Sequence, residues 1–484
     1  MLRSLKRISR LCFVGTAIMM AAGCAGSQTT ADIAITNATV VDVETGELQV
    51  NQTILIADGR IVDVQSGLGG QPAAAQVLDA KGGYLIPGLW DMHVHSGYDY
   101  EWHFPLFLAY GVTGIRNMNI GGDSDFTRTN EIRRKLAEGE ILGPRFFANG
   151  TTLDGFPHIA ADPVVIRTPE DGRAAVAAAA EAHADFIKVY DNVPREAYFA
   201  IMDEARRRIL PVDGHIPFRV RPEEAADAGQ RTVEHGLGLA LGCNPDYDAE
   251  RDRYAAALDA AADSTEPFAV DIALFEHEHR LALARDAAAC ESVIDAYLRN
   301  GVAACPNVMT YYAIVHLEEM QAEYPSLHQI PKSRLDDWAE IPPATLATIK
   351  SRMAGSIEMY FMNARLLGER GVTLLAGSDA GEPFLVPGDS LHNELMLLVE
   401  KSGLDPLLVL QAATINPARV LGLDDELGSV EAGKLADLVL LDSSPLENIR
   451  NTRSIRAVIA DGRLFRRDDL NRIRAGGFFS RSRP

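Results

Sequence analysis

Eight short apolar runs, most of them separated by stretches of helical character, constrain this chain more than any other feature. They are YLIPGLWDMHVH (84–95), GVTGIRNM (111–118), RFFANGT (145–151), DFIKVYD (185–191), PVDGHI (211–216), RTVEHG (231–236), GVAACPNV (301–308) and GVTLLAGSD (371–379). Pieces such as the alanine-rich EDGRAAVAAAAEAHA and REAYFAIMDEARRRIL lie between them. A strand parallel to its predecessor needs a long crossover, and a helix is the crossover that buries a face against the sheet. Eight repeats of that alternation predict an α/β fold, a (β/α)8 TIM barrel over residues 84–424.

The flanks follow a different period. Residues 33–65 alternate apolar and polar side chains and break at Gly and Asp turns such as ADGR. GKLADLVLLD (433–442) and IRAVIADGRLF (455–465) have the same character, and ADGR recurs. A small β-sandwich assembled from both flanks, 33–83 and 425–467, is the expectation. Two charge-rich intervals, about 243–300 after the sixth run and 313–345 after the seventh, are too long for plain connections. Both follow the carboxyl end of a strand, the face where such barrels carry their chemistry, so helical insertions forming a lid or specificity wall are expected there.

Composition narrows the functional classes. A 484-residue chain, 47% hydrophobic, is long enough for a barrel-sized core plus an accessory domain. Its formal net charge of −21 and the lack of a basic stripe argue against nucleic-acid binding. Arg3, Lys6, Arg7 and Arg10 precede the apolar LCFVGTAIMMAAG and Cys24. The run is short for a bilayer span and reads as an export signal over 1–23. MAAGC resembles the bacterial lipoprotein cleavage box, which implies lipidation of Cys24, a tether over 24–32 and a periplasm-facing anchor in the cell envelope; plain secretion is the alternative. Membrane contact would then be through that anchor alone, and a homo-oligomer is open. Of five cysteines, Cys12 leaves with the signal and Cys24 takes lipid. Cys243, Cys290 and Cys305 cannot make a full disulfide framework; Cys243 and Cys290 could pair, and inert thiols are the plainer reading.

The chemistry-bearing residues sit on the runs. Residues i and i+2 of a strand share a face, so His93 and His95 point the same way. Lys188 lies mid-strand in FIKVY, where an uncompensated ammonium is costly. His215, His235 and Asp379 end the fifth, sixth and eighth runs. A barrel would bring all six to one rim, and a metal is the simplest shared partner for several imidazoles.

This set resembles the amidohydrolase superfamily, in the branch of imidazolonepropionase-like enzymes and metal-dependent Xaa-Pro or Xaa-Arg dipeptidases. GLWDMHVHSG, GVTGIRNMN, VEHG, AGSDAG, LQAATINPARVLGL and LGSVEAGKLADLVLLD carry the likeness from roughly residue 33 to 465. The resemblance implies two divalent metal ions, zinc or else manganese or cobalt, bridged by a CO2-derived carbamate on Lys188. It assigns His93, His95 and Asp379 to one metal and His215 and His235 to the other. Asp379 would also be the catalytic base and then acid. His158, in LDGFPH, resembles a substrate-facing histidine of that family. Tyr190, Arg116, Tyr311 and Tyr312 are further candidates for substrate contact by their place near strand ends.

The expected activity is hydrolysis of amide-type C–N bonds in small dipeptides or N-acyl amino acids. Cyclic amides, lactones or carbamates are alternatives on the same centre. A metal-binding envelope lipoprotein without catalysis is the non-enzyme alternative; a mononuclear deaminase would not need Lys188.

Overall fold

The computed structural model describes residues 31–67, 72–119, 126–160, 162–264, 268–323, 325–338 and 342–476. The export signal, Cys24 and nearly all of the tether lie outside the described residues. Among those described, no helix is long and apolar enough to cross a membrane.

Each of the eight runs supplies one stave of a TIM-barrel-like α/β domain. Leu89–Val94, Val112–Asn117 and Arg145–Ala148 form one parallel sheet. Thr152–Asp154 continues the third stave and pairs with Ile187–Val189, which pairs with Val212–Gly214. Thr232–Glu234 pairs with Ala303–Cys305. Single backbone hydrogen bonds carry the order across the gaps. Asp185 N donates to Ala148 O (3.1 Å), Arg231 N to Val212 O (2.8 Å), Ala304 N to Thr373 O (2.9 Å) and Met92 N to Ala376 O (2.8 Å). The eighth run makes no regular ladder, only the bridges Ala304–Leu374 and Val94–Ala380. Its pleat ends at Asp379, which takes a left-handed conformation (φ 62°).

Helices behind the staves bury their apolar sides. Thr168 caps Pro169–Glu181 through a capping box with Asp171, and Ile201 of Arg195–Arg207 packs under Gly172 of that helix, which leaves no room for a larger residue. The flanks pair with each other: Tyr84–Pro87 runs parallel to Ala31–Val41 and antiparallel to Leu438–Leu441. Hydrogen bonds thereby join eight strands from both flanks in one sheet. Ile33, Ile35, Ile54, Leu85, Leu438 and Ile459 form a separate apolar cluster beside the barrel core.

The two long intervals carry helices. Tyr247–Ala262, Ala269–Leu283 and Ala287–Asn300 fill the first; Leu317–Glu323, a 3-10 turn Pro325–Gln329, Lys332–Trp338 and the start of Pro343–Glu369 fill the second. Cys243 and Cys290 form a disulfide across 47 positions of the first, so the expectation of two inert thiols gives way. The intervening helices bring the two sulfurs together, a proximity that spacing along the chain does not reveal. Cys305 is a buried free thiol.

Candidate metal centre

All six rim residues converge. His93 and His95 extend from the first stave with ring centroids 5.3 Å apart; His93 lies 4.8 Å from His235, and His235 lies 4.9 Å from His215. Asp379 Oδ1 is 3.0 Å from His95 Nε2 and 3.4 Å from His93 Nε2. One ligand atom each of His93, His235 and Asp379 falls within 4.8 Å of the others. Lys188 is fully buried between them, its Nζ 5.5 Å from the Tyr190 ring.

The backbone makes these approaches possible. Gly214 has φ 119°, and a Cβ there would strike Val189 O at 2.3 Å and Lys188 Cδ at 2.8 Å. Only glycine lets the Lys188 and His215 staves close this tightly. His235 also adopts a left-handed conformation (φ 59°), held by its N–H to Cys305 O, while Asp379 N–H donates to His93 O. Two non-glycine residues in this sparsely populated region, both at the centre, mark backbone bent to aim side chains.

Carboxylates behind the ring orient it. His93 Nδ1 donates to Glu234 Oε2 (3.0 Å) and His215 Nδ1 to Asp191 Oδ2 (2.7 Å). Each bond puts the proton on Nδ1 and leaves Nε2 with a lone pair toward the centre. Glu234 Oε1 accepts from Arg116 (2.9 Å) and from Thr232 Oγ1 (2.6 Å). Thr310 Oγ1 donates to Asp379 Oδ2 (3.0 Å). Below the ring, Asp91 accepts from Ser378 Oγ and Ser378 N, and burial pushes its carboxyl up to about 7.

Burial dominates the electrostatics. It drives Lys188 down to about 8, against the pull of Glu234 and Asp379, and drives His235 down to about 3. His93 and His215 fall well below the ordinary histidine value by burial and then by Lys188. For Asp379 burial works upward but is outweighed by His93 and His95, so its carboxyl stays well below the usual range.

Whether a cation suits this ring is tested by its orphaned atoms. His93 Nε2, His215 Nε2, His235 Nδ1 and Lys188 Nζ are all buried without hydrogen-bond partners. A buried polar atom left unpaired costs roughly 1–3 kcal/mol. Three imidazole nitrogens facing one another beside an aspartate are a nitrogen-and-oxygen donor set that suits a divalent metal ion, with the Lys188 amine set among them.

The other candidates divide. Tyr190 stacks on His215 (4.0 Å between centroids), and Tyr311 meets His235 edge-on (5.9 Å). His158 is exposed, on a loop whose N–H groups at Ile159 and Ala160 Asp154 accepts. Tyr312 stacks instead on His316. Arg116 departs from the expected substrate fork. It is fully buried inside the barrel and donates to Met92 O, Asp213, Thr232 and Glu234, so no donor edge is left for a substrate. Sequence reading missed Glu234, Asp191 and Thr310. Glu234 stands next to His235 in VEHG, and Asp191 ends the run that carries Lys188, in KVYD.

With the geometry established, comparison places the chain among known proteins. The amidohydrolase family model matches residues 84–465. An imidazolonepropionase of Symbiobacterium thermophilum is 40% identical over 83 residues, 17% of this chain and 19% of that protein. The chain thus spans between 10% and 25% of the length of the curated relatives it matches. A Bifidobacterium longum structure described as a prolidase superposes with a TM-score of 0.65 at 25% identity, covering 93% of this chain and 99% of that one. A Xaa-Pro dipeptidase with bound methionine in its active site gives 0.64 at 20% identity over 90% and 99%; at that identity the likeness concerns the fold.

Proposed function

We propose, for a chain that belongs to the amidohydrolase family, the metal-dependent hydrolysis of peptide-type C–N bonds in dipeptides or N-acyl amino acids. The observation that carries this reading is the convergence of four partnerless buried nitrogens, on His93, His215, His235 and Lys188, around Asp379. A binding scaffold has no use for so many unsatisfied groups in one place, each of which costs stability.

In this reading His93, His95 and Asp379 would hold one divalent ion and His215 and His235 the other. The neutral Lys188 amine would add to CO2 and lose a proton, giving an anionic carbamate ligand in place of an ammonium that has no lone pair. Such ions would supply Lewis acidity to a water and to the scissile carbonyl. The chain's own residues do the rest. Asp379, oriented by Thr310, takes the proton of the attacking water and passes it to the leaving amine nitrogen. Glu234 and Asp191 keep His93 and His215 in the tautomer that presents Nε2. Helices after the seventh stave reach the ring through Tyr311, on which Tyr360 stacks. Cyclic amides, lactones and carbamates present the same carbonyl and form the second reading.

The leader argues for a lipoprotein anchored at Cys24 and facing the periplasm. The Cys243–Cys290 disulfide supports an oxidising compartment.

Metal analysis with a substrate screen tests the reading. Protein purified with metal and bicarbonate is expected to hold two equivalents of zinc, manganese or cobalt, to lose them in Lys188→Ala, and to cleave members of a dipeptide and N-acyl amino-acid library. Asp379→Asn is expected to lower kcat by at least about 10³-fold while keeping much of the metal. One equivalent or fewer in the wild type, or undiminished turnover in Asp379→Asn, overturns it.

A further inference from the structure

A second polar cluster lies over the metal ring, made by the first insertion and the long helix Pro343–Glu369. Glu278, on Ala269–Leu283, is only 2% exposed, and its Oε2 has no hydrogen-bond partner among the described residues. Tyr360 lies against Glu278. Its ring stacks on Tyr311 at 3.6 Å, and Tyr311 in turn meets His235 edge-on. On the other side Tyr254, from Tyr247–Ala262, stacks on His277 at 4.2 Å. The Tyr254 hydroxyl is, like Glu278 Oε2, buried without a partner, while the Tyr360 hydroxyl faces Glu278 and Tyr311. One carboxylate oxygen and one phenol are therefore left unsatisfied, joined to the ring through Tyr360 and Tyr311.

Two unpaired buried groups so close together cost stability that packing alone does not repay. Their chemistry indicates what they receive. A carboxylate is an acceptor, and a phenol oxygen accepts as readily as it donates. The charges within electrostatic reach of Tyr254 are acidic: Asp191, Asp154 and Asp271, together with Glu278 itself. Arg280, two residues along from Glu278, gives its Nε to Glu250 and keeps one buried Nη without a partner. The acidic charges about Tyr254 disfavour a substrate carboxylate there, whereas an ammonium would find acceptors at Glu278 Oε2 and at the Tyr254 oxygen.

We infer that Glu278, flanked by Tyr254 and Tyr360, is the subsite for the free α-ammonium of a dipeptide, which selects dipeptides over N-acyl amino acids. This rests on the amide-hydrolase reading above and sharpens it. The carboxylate and ammonium pair by a charge-assisted hydrogen bond in a site closed to water, where such a bond is strong. Burial holds the Glu278 carboxyl up at about 8 while nothing is bound, and an arriving cation offsets that cost. A substrate without the amine leaves Glu278 unpaired and gains nothing from the roof.

Alanyl-proline and N-propionyl-proline differ only by that ammonium and share the scissile bond. With metal-loaded full-length enzyme, kcat/KM for alanyl-proline is expected to exceed that for N-propionyl-proline by at least tenfold. In Glu278→Gln that ratio is expected to collapse toward one, and Glu278→Asp to restore part of it. Calorimetric titration with the phosphonate analogues of the two compounds reads the same discrimination without turnover. A wild-type ratio near one, or a ratio unchanged in Glu278→Gln, overturns the subsite while leaving the hydrolase reading intact. If neither compound nor any other dipeptide or N-acyl amino acid is cleaved, both fall.

Discussion

The imidazole of His93 is committed at one nitrogen and open at the other. Nδ1 donates to Glu234, and Nε2 looks into the ring with no partner of its own. Glu234 can hold that proton because Arg116 and Thr232 saturate its other oxygen. Replacing the carboxylate by an amide, Glu234→Gln, removes the charge that both Arg116 and His93 use and lets an N–H face the imidazole. Metal affinity is expected to fall about 10- to 100-fold, measured by competition with a chelator, with the far-ultraviolet dichroism retained. Unchanged affinity would mean that His93 does not depend on this partner. Arg116 is the counterpart lesson. A guanidinium near a strand end looks available to a substrate, but its position on the inner face of a stave delivers it to Asp213 and Glu234 in the barrel interior.

Among the elements, the first insertion depends most on a single link. Its three helices leave the barrel after the sixth stave and return to the seventh, with the Cys243–Cys290 bond closing 47 positions. Closing a loop of that size removes chain entropy worth about 4 kcal/mol from the open state. Cys243→Ser with Cys290→Ser is therefore expected to quicken hydrogen exchange in Tyr247–Ala262 and Ala269–Leu283, and to leave the staves Leu89–Val94 and Ile187–Val189 as slow as before. Equal exchange in both proteins would show that packing alone holds the insertion. The helix Val308–Val315, which carries Thr310 and Tyr311, is fixed differently. Buried Glu394 accepts from the N–H groups of Val308 and Met309 and so caps its first turn.

Across the whole molecule, burial of neutral histidines ties stability to pH. His103 lies outside the ring, bonded through Nδ1 to Ser96 Oγ (2.8 Å), and burial lowers it to about 3. Folded, it stays neutral; unfolded, it takes a proton once the pH drops below about 6.5. The unfolded state then binds more protons, so this residue's contribution to stability declines as pH falls, by about 1.4 kcal/mol per unit, until about 3. His103→Asn loses that dependence. The variant is expected to be the less stable protein at pH 8 through lost packing, and the gap is expected to narrow by about 2 kcal/mol at pH 5, read from urea midpoints at the two pH values. A constant gap would show that His103 takes up its proton at the same pH folded as unfolded.

Much of this was legible along the chain, for a physical reason. Strand and helix periods are local, so eight apolar runs announced eight staves. Residues at strand ends share a rim in any such barrel, which brought out His93, His95, His215, His235 and Asp379, and Lys188 stood out as a charge inside an apolar strand. Partners were not legible, because a side chain's nearest neighbour in space is set by packing rather than by adjacency. Glu234 stands beside His235 in the chain yet serves His93, 141 positions away. The same holds for the pairing of Cys243 with Cys290 and for the roof of Tyr254, Glu278 and Tyr360. Those contacts exist only once helices with no shared sequence period have been stacked over the barrel, and that stacking is decided by the fit of whole surfaces.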